Sequence, residues 1–327
     1  MSNEGRQHGR RLFVVVATWA ASFELLSRYG VDLLPRALAQ KLTLEAYLTV
    51  VQAVALGVGL GLSFALLAQP RRDLALTRPS PGAAAYAVAL TPAAFVLSTG
   101  AAFQIAKPTL VAELLRGGMQ EVQKSSGEFG RELTTSPSWL AFAWGAIVSP
   151  IAEEAFFRGA LFTLVADATA FSRRRRDGAS GLAPELLDDT VLARAGRRGL
   201  SWLGQGGAAT VLVALVFGWL HHDMPGGLGI VRFVSALGLG VACGLSRQAT
   251  ASVVAPMLVH VGFNALSLAT ARRLVVSDTF PMKSGVPSLV GIVAVALAWG
   301  VAVHYLFSQR RRRARRSSAR GSRDAAG

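Results

Sequence analysis

Two adjacent carboxylates with an arginine close behind, Glu153, Glu154 and Arg158, lie in the stretch Ser149-Pro150-Ile151-Ala152-Glu153-Glu154-Ala155-Phe156-Phe157-Arg158-Gly159, inside a run otherwise built from Trp, Leu, Ala, Val and Phe. An ionised side chain placed in hydrocarbon costs about 3 kcal/mol on insertion scales, so an acid in such a run marks a functional site and requires a partner. Two other apolar runs offer matching groups, Phe217-Gly218-Trp219-Leu220-His221-His222-Asp223 and His260-Val261-Gly262-Phe263-Asn264. Glu154 and Arg158 are four apart with the acid N-terminal, the favourable order for a same-face ion pair, and His260 and Asn264 share a face in the same way. Glu153 points about 100 degrees away from Glu154 on a helix of 3.6 residues per turn. One glutamate is then free to be neutralised by Arg158 while the other faces a cavity. An acid, two imidazoles, an amide and a guanidinium spread over three helices are the material of a site in a bundle core.

Each group also has a plainer reading. Glu154 and Arg158 form a buried pair that fixes helix packing, Glu153 is a second acceptor for Arg158, and His260 with Asn264 is polar glue between helices. His221 and His222 sit at a helix end where interfacial side chains collect. Phe217 and Trp219 are expected to pack rather than to touch substrate, and His304 to anchor the end of the last helix. It is the occurrence of the whole set that favours a site over independent structural contacts.

The elements that must carry these groups are membrane helices. Hydrophobic residues make up 52% of the 327 and mean hydropathy is positive, which is too apolar for a soluble domain of this size. A membrane-spanning helix needs about 20 mostly apolar residues. Such runs occur at 11–30, 43–68, 82–106, 138–166, 206–222, 227–246, 251–271 and 286–308, so the expected fold is an all-α, polytopic membrane bundle of about eight transmembrane helices. The last-but-one contains Pro256, expected to kink its helix just before His260. The net charge of +15 comes from arginines at the N-terminus, in 68–81, in 172–205 and after Arg310. With eight spans these fall on one side, cytoplasmic by the positive-inside rule, with both termini there. Arg272, Arg273 and Lys283 on the opposite side are discordant. Residues 107–137 alternate acid and base at near-helical intervals and suit an interfacial amphipathic helix, whereas 172–205 and the tail suit solvated basic segments near anionic headgroups. Basic residues are not interleaved with aromatics on a polar face, which argues against a nucleic-acid partner. The single cysteine, Cys243, excludes an internal disulfide and is expected to be an inert core residue.

Taken in order, Glu153-Glu154-x-x-x-Arg158, Phe217-x-x-x-His221 and His260-x-x-x-Asn264 resemble the motifs of the CAAX protease and bacteriocin-processing (CPBP, also called Abi) family of glutamate intramembrane proteases. The resemblance covers about residues 138–270. It implies a division into N-terminal helices and a connecting loop (1–137), a catalytic membrane core (138–271), a last helix (272–308) and a basic tail (309–327). It also implies an endopeptidase of the inner (plasma) membrane acting on a membrane-bound or lipidated protein or peptide. In that reading Glu153 and His221 activate a water, Glu154 and Arg158 brace the site, and His260 and Asn264 stabilise the oxyanion. No cofactor is implied. The Arg- and Ala-rich composition suggests a bacterial source, and some bacterial relatives, the myxosortase type, resemble peptidases that trim C-terminal membrane anchors. General chemistry agrees, since a carboxylate with an imidazole can take a proton from water, and neutral donors aimed at a developing oxyanion contribute about 3 kcal/mol each. The alternatives are a zinc peptidase with Glu153, His221 and His260 as ligands, against which the lack of a His-Glu-x-x-His motif counts, and a noncatalytic immunity or scaffold protein.

Overall fold

The computed structural model describes residues 3–30, 44–117, 139, 142–169, 206–222, 226–276 and 295–307. Among them the only regular structure is helical, without strands: α1 (Asn3–Tyr29), α2 (Leu44–Leu66), the short α3 (Pro70–Asp73), α4 (Pro81–Gly117), α5 (residues 142–169), α6 (Ala208–Leu220), α7 (Gly226–Thr250), α8 (Val254–Val276) and α9 (Val295–Phe307). Four stretches, Gln7–Tyr29, Ala46–Leu66, Pro81–Glu113 and Gly226–Thr250, are long and apolar enough to cross a membrane, and Ala208–Leu220, Val254–Thr270 and Val295–Phe307 are shorter apolar helices. The protein is a polytopic helical membrane protein.

Helix α5 is the axis of the bundle. One side meets α1 and α2 through Leu12, Val15, Trp19, Ala55, Ala155 and Ala160. The other meets α4, α6, α7 and α8 through Phe157, Phe162, Val213, Phe217, Leu239 and Val259. Many large apolar side chains point outward, among them Leu212, Leu215 and Val216 of α6, as expected where the surroundings are lipid. Helices α6 and α7 approach closely because Gly240 and Gly244 face Ala214 and Thr210. A Cβ on Gly240 would stand 3.0 Å from the Ala214 Cα, the small-residue packing that membrane helices use in place of a hydrophobic drive.

Hydrogen bonds between loops agree with the expected parity of the spans. The turn after α7 is tied to the segment after α3, Val253 N donating to Ala75 O at 3.0 Å and Ser252 Oγ to Thr77 O at 2.6 Å. Near the start of α1, His8 lies 3.8 Å from Asp167 of α5 and Arg11 donates to Leu66 O at the end of α2. At the other end of the bundle Glu113 of α4 accepts from Gly227 N at 2.9 Å, closing a donor that the first turn of α7 leaves open.

Several boundaries differ from expectation. Helix α4 runs to Gly117 through Pro92 and Pro108, so residues 107–117 extend the third span instead of starting a separate interfacial helix. At 1.5 Å per residue α4 is about 55 Å long, well beyond a hydrocarbon core of about 30 Å, and its last turns project past it. Residues 118–138 lie outside the described residues, as do 172–205, 277–285 and the tail. Helix α8 continues to Val276, which places Arg272 and Arg273 in its final turns and not in a loop. It starts at Val254, so Pro256 sits in the first turn, where a missing N–H is no loss and no kink follows. Cys243 is fully buried beside Pro256 O.

Candidate active site

The double glutamate sits in the one α-helical turn, Ser149–Glu154, between two wider π-helical segments of α5, Ala143–Val148 and Ala155–Leu161. A π segment breaks the regular i→i−4 ladder and leaves carbonyls without a helical donor. Side chains from neighbouring helices and from α5 itself meet them. Asn264 Nδ2 of α8 donates to Gly145 O at 2.7 Å, Arg247 Nε of α7 to Arg158 O at 3.2 Å, and Thr163 Oγ1 to Gly159 O at 2.8 Å.

Glu154 and Arg158 are both fully buried. Arg158 Nη1 donates to Glu154 Oε1 at 3.0 Å and Nη2 to Gly240 O at 3.0 Å. Its guanidinium lies 4.8 Å from the Phe217 ring centre, within cation–π range. The same Glu154 oxygen accepts from His260 Nδ1 at 2.8 Å.

The two imidazoles are presented alike. His221 follows the last residue of α6, and its Nδ1 is 2.7 Å from Phe217 O. A carbonyl only accepts, so Nδ1 carries a proton and Nε2 is the nitrogen left facing the cluster. In His260 the proton on Nδ1 points at Glu154, and Nε2 again faces away. Both Nε2 atoms are 4.0 Å from Glu153 Oε2, and that oxygen has no hydrogen-bond partner among the described residues. Phe217 spaces the rings, its centre 4.4 Å from His221 and 5.6 Å from His260. The side chains of His221 and Glu153 are 30% and 23% exposed and that of His260 only 3%, so the cluster opens on the His221 side.

Five of the six residues singled out in the sequence, Glu153, Glu154, Arg158, His221 and His260, therefore converge, in a pattern the helical wheel only partly foresaw. The glutamates do face different partners, but His260 touches both. Asn264 is the outlier, its amide spent on Gly145 and not aimed at the Glu153 oxygen. Phe217 packs as expected, whereas Trp219 is 71% exposed and stacks on the exposed His222. His304 pairs with Tyr86 Oη at 2.8 Å. Sequence reasoning missed the residues behind Glu153. Ser149 Oγ donates to Glu153 Oε1, and Gln52 of α2 and Trp144 complete the contact. The available signals were a serine four residues before the acid and a lone amide in an apolar span.

The fold and this cluster define a class, the polytopic helical membrane protein with a carboxylate and histidine site inside its bundle. Residues 135–266 match the Rce1-like family model, described as type II CAAX prenyl endopeptidase Rce1-like, and the resemblance carried by the three motifs is thereby borne out over that stretch. At the level of the family this supports a membrane endopeptidase. No curated protein and no solved structure gives a match.

Proposed function

We propose that the chain is an intramembrane endopeptidase in which Glu153 and His221 activate a water for attack on a peptide carbonyl of a membrane-bound or lipidated protein. One observation carries the reading: Glu153 Oε2 and the Nε2 atoms of His221 and His260 face one another with both separations 4.0 Å and with both Nδ1 atoms already committed. Two atoms that each hold the same water at about 2.8 Å are about 4 to 4.6 Å apart. Two ligands of one tetrahedral zinc at about 2.0–2.2 Å are only about 3.4 Å apart. The separations suit a shared water, and the chelator test below decides the zinc alternative.

The water gives its proton to the Glu153 and His221 pair as its oxygen bonds to the carbonyl carbon, and the same proton passes to the departing amine. The oxyanion that forms needs donors. His260 suits this when doubly protonated, since Glu154 would hold the imidazolium through Nδ1. Asn264 contributes by fixing the Gly145 turn. Glu154 and Arg158 brace the set.

The family description points to prenylated substrates ending in a CAAX sequence, and anchor trimming of surface proteins is the other substrate class in view. The location proposed is the plasma membrane of a bacterium with both termini cytoplasmic, the bilayer and its embedded substrates being the partners. Protein termini from membranes and surfaces of a parental strain and a Glu153→Ala strain, compared by mass spectrometry, test the function. Termini lost in the variant and regenerated by purified parental protein in phospholipid nanodiscs are expected. A purified Glu153→Ala protein that cleaves at the parental rate refutes the reading. Full complementation by Glu153→Gln marks a binding role instead, and loss of parental activity to chelators marks a metal enzyme.

A further inference from the structure

The Glu153 carboxylate is held from outside the stretch that matches the family. Its Oε1 accepts from Ser149 Oγ, Ser149 Oγ accepts from Gln52 Nε2 at 2.9 Å, and Gln52 Oε1 accepts from Trp144 Nε1 at 3.0 Å. Three of these residues belong to α5, while Gln52 comes from α2, far upstream of residues 135–266.

The direction of the chain is fixed by its first member. An indole is a donor only, so Gln52 must turn its oxygen to Trp144 and its amide nitrogen to Ser149. Ser149 then receives a proton from the amide and has its own hydroxyl proton to give to Glu153. Donors run one way from Trp144 to the carboxylate, each polarising the next. Gln52 is 6% exposed in the candidate span Ala46–Leu66. An amide buried there costs free energy unless its polar atoms are satisfied, and these contacts satisfy both ends.

We infer that Gln52 is a positioning residue for hydrolysis, acting through Ser149 to fix which oxygen of Glu153 is tied to the scaffold and which faces the water. The inference rests on the function proposed above. The terminal torsion of a glutamate is broad and nearly two-fold, so a carboxylate without this anchor can rotate. With Oε1 anchored, Oε2 stays opposite His221 and His260. A displacement of about 1 Å at such a group can cost on the order of 100-fold in rate.

The test uses full-length protein in phospholipid nanodiscs and a fluorogenic farnesylated peptide ending in a CAAX sequence. Gln52→Met keeps the length and removes both hydrogen bonds, whereas Gln52→Glu keeps an acceptor for Trp144 but offers Ser149 a competing carboxylate. Both are expected to lower kcat by roughly 10- to 100-fold with KM within about twofold of parental. Ser149→Ala should show a similar loss, and the Gln52→Met/Ser149→Ala double variant should be no slower than Ser149→Ala alone, the signature of residues acting in series. Parental kcat in Gln52→Met, a loss seen mainly in KM, or losses that multiply in the double variant would overturn the inference. Glu153→Ala run alongside separates the two levels. Retained cleavage there sinks the hydrolytic reading itself, whereas a dead Glu153→Ala beside a fully active Gln52→Met sinks only the role of Gln52.

Discussion

Replacing Arg158 by methionine keeps the length of the side chain and removes its charge from a fully buried site. Glu154 loses the Nη1 contact at 3.0 Å and keeps His260 Nδ1 at 2.8 Å on the same oxygen, with the Cys243 thiol also against its carboxyl. Removing one member of a buried pair costs about 3–5 kcal/mol, because the other charge is left uncompensated. Removing both need cost little, and Glu154→Gln retains an acceptor for His260. Arg158→Met should therefore destabilise by about 3–5 kcal/mol, and adding Glu154→Gln should restore at least half of that. At about 2–4 °C per kcal/mol for a chain of a few hundred residues, the single variant should melt roughly 6–20 °C below the parent. The molecule carries its own reporter, since its one thiol, Cys243, is fully buried and reacts with a fluorogenic maleimide only on unfolding. A single variant that melts with the parent, or a double variant that melts no higher than the single, would show that the pair is not the brace described.

Gly240→Ala puts a methyl 3.0 Å from the Ala214 Cα and 3.3 Å from Arg158 Nη2 and should cost about 1–3 kcal/mol by overpacking. Gly61→Ala on α2, with nothing within 4 Å, should be neutral or stabilising by up to about 1 kcal/mol; equal melting of the two would refute the close approach of α6 and α7. Asn264→Ala strips the donor from Gly145 O and should cost about 1–3 kcal/mol as well as activity, with Asn264→Asp failing to rescue because it offers Gly145 no amide donor; parental melting and cleavage in Asn264→Ala would remove it from the site. Cysteines placed at Arg78 and Asp167 in a Cys243→Ala background should label from the side of the membrane opposite to one placed at Glu113, as read with an impermeant maleimide in oriented vesicles; labelling of all three from one side would break the parity of the spans.

The apolar runs were legible because a bilayer imposes a length and a composition on anything that crosses it, and α1, α2, α4, α5, α6, α7, α8 and α9 all lie on the expected runs. Helix ends were less so. Nothing local marks where α4 stops once it has left hydrocarbon, and Pro256 is as compatible with a first turn as with a kink until the start of α8 is known. The motifs showed which residues converge, since a charge inside an apolar run is costly unless it meets a partner or lines a cavity. Their division of labour depends on departures from a 3.6-residue helix that composition does not encode. The π segments on either side of Ser149–Glu154 expose the carbonyls that Asn264 and Arg247 take up, and so redirect an amide to which the family resemblance gives an oxyanion role. Gln52 was invisible for a different reason. A lone amide in an apolar span marks it as polar, but its two partners, Ser149 and Trp144, lie across the bundle, and sequence separation conceals such contacts.

In the proposed mechanism, His260 accounts for a second glutamate beside the one that meets the water. Its Nδ1 is committed to Glu154 and its Nε2 faces Glu153, so the ring transmits the state of the braced acid to the open one. Without Arg158, Glu154 would be a buried charge with no opposite charge to offset it. Arg158 supplies that compensation. Glu154 can then accept from Nδ1 whether the ring is neutral or charged, and Nε2 stays free to be lone pair or donor as the reaction requires. The adjacent position on the helix, turned about 100 degrees away, puts Glu153 on the far side of the same ring with one oxygen anchored by Ser149 and the other left for water. A Glu154→Gln protein that still folds should accordingly retain the His260 contact while losing the charge that steadies an imidazolium, so its defect should fall on kcat and leave KM near parental. Equal effects on both would place Glu154 in substrate binding rather than behind His260.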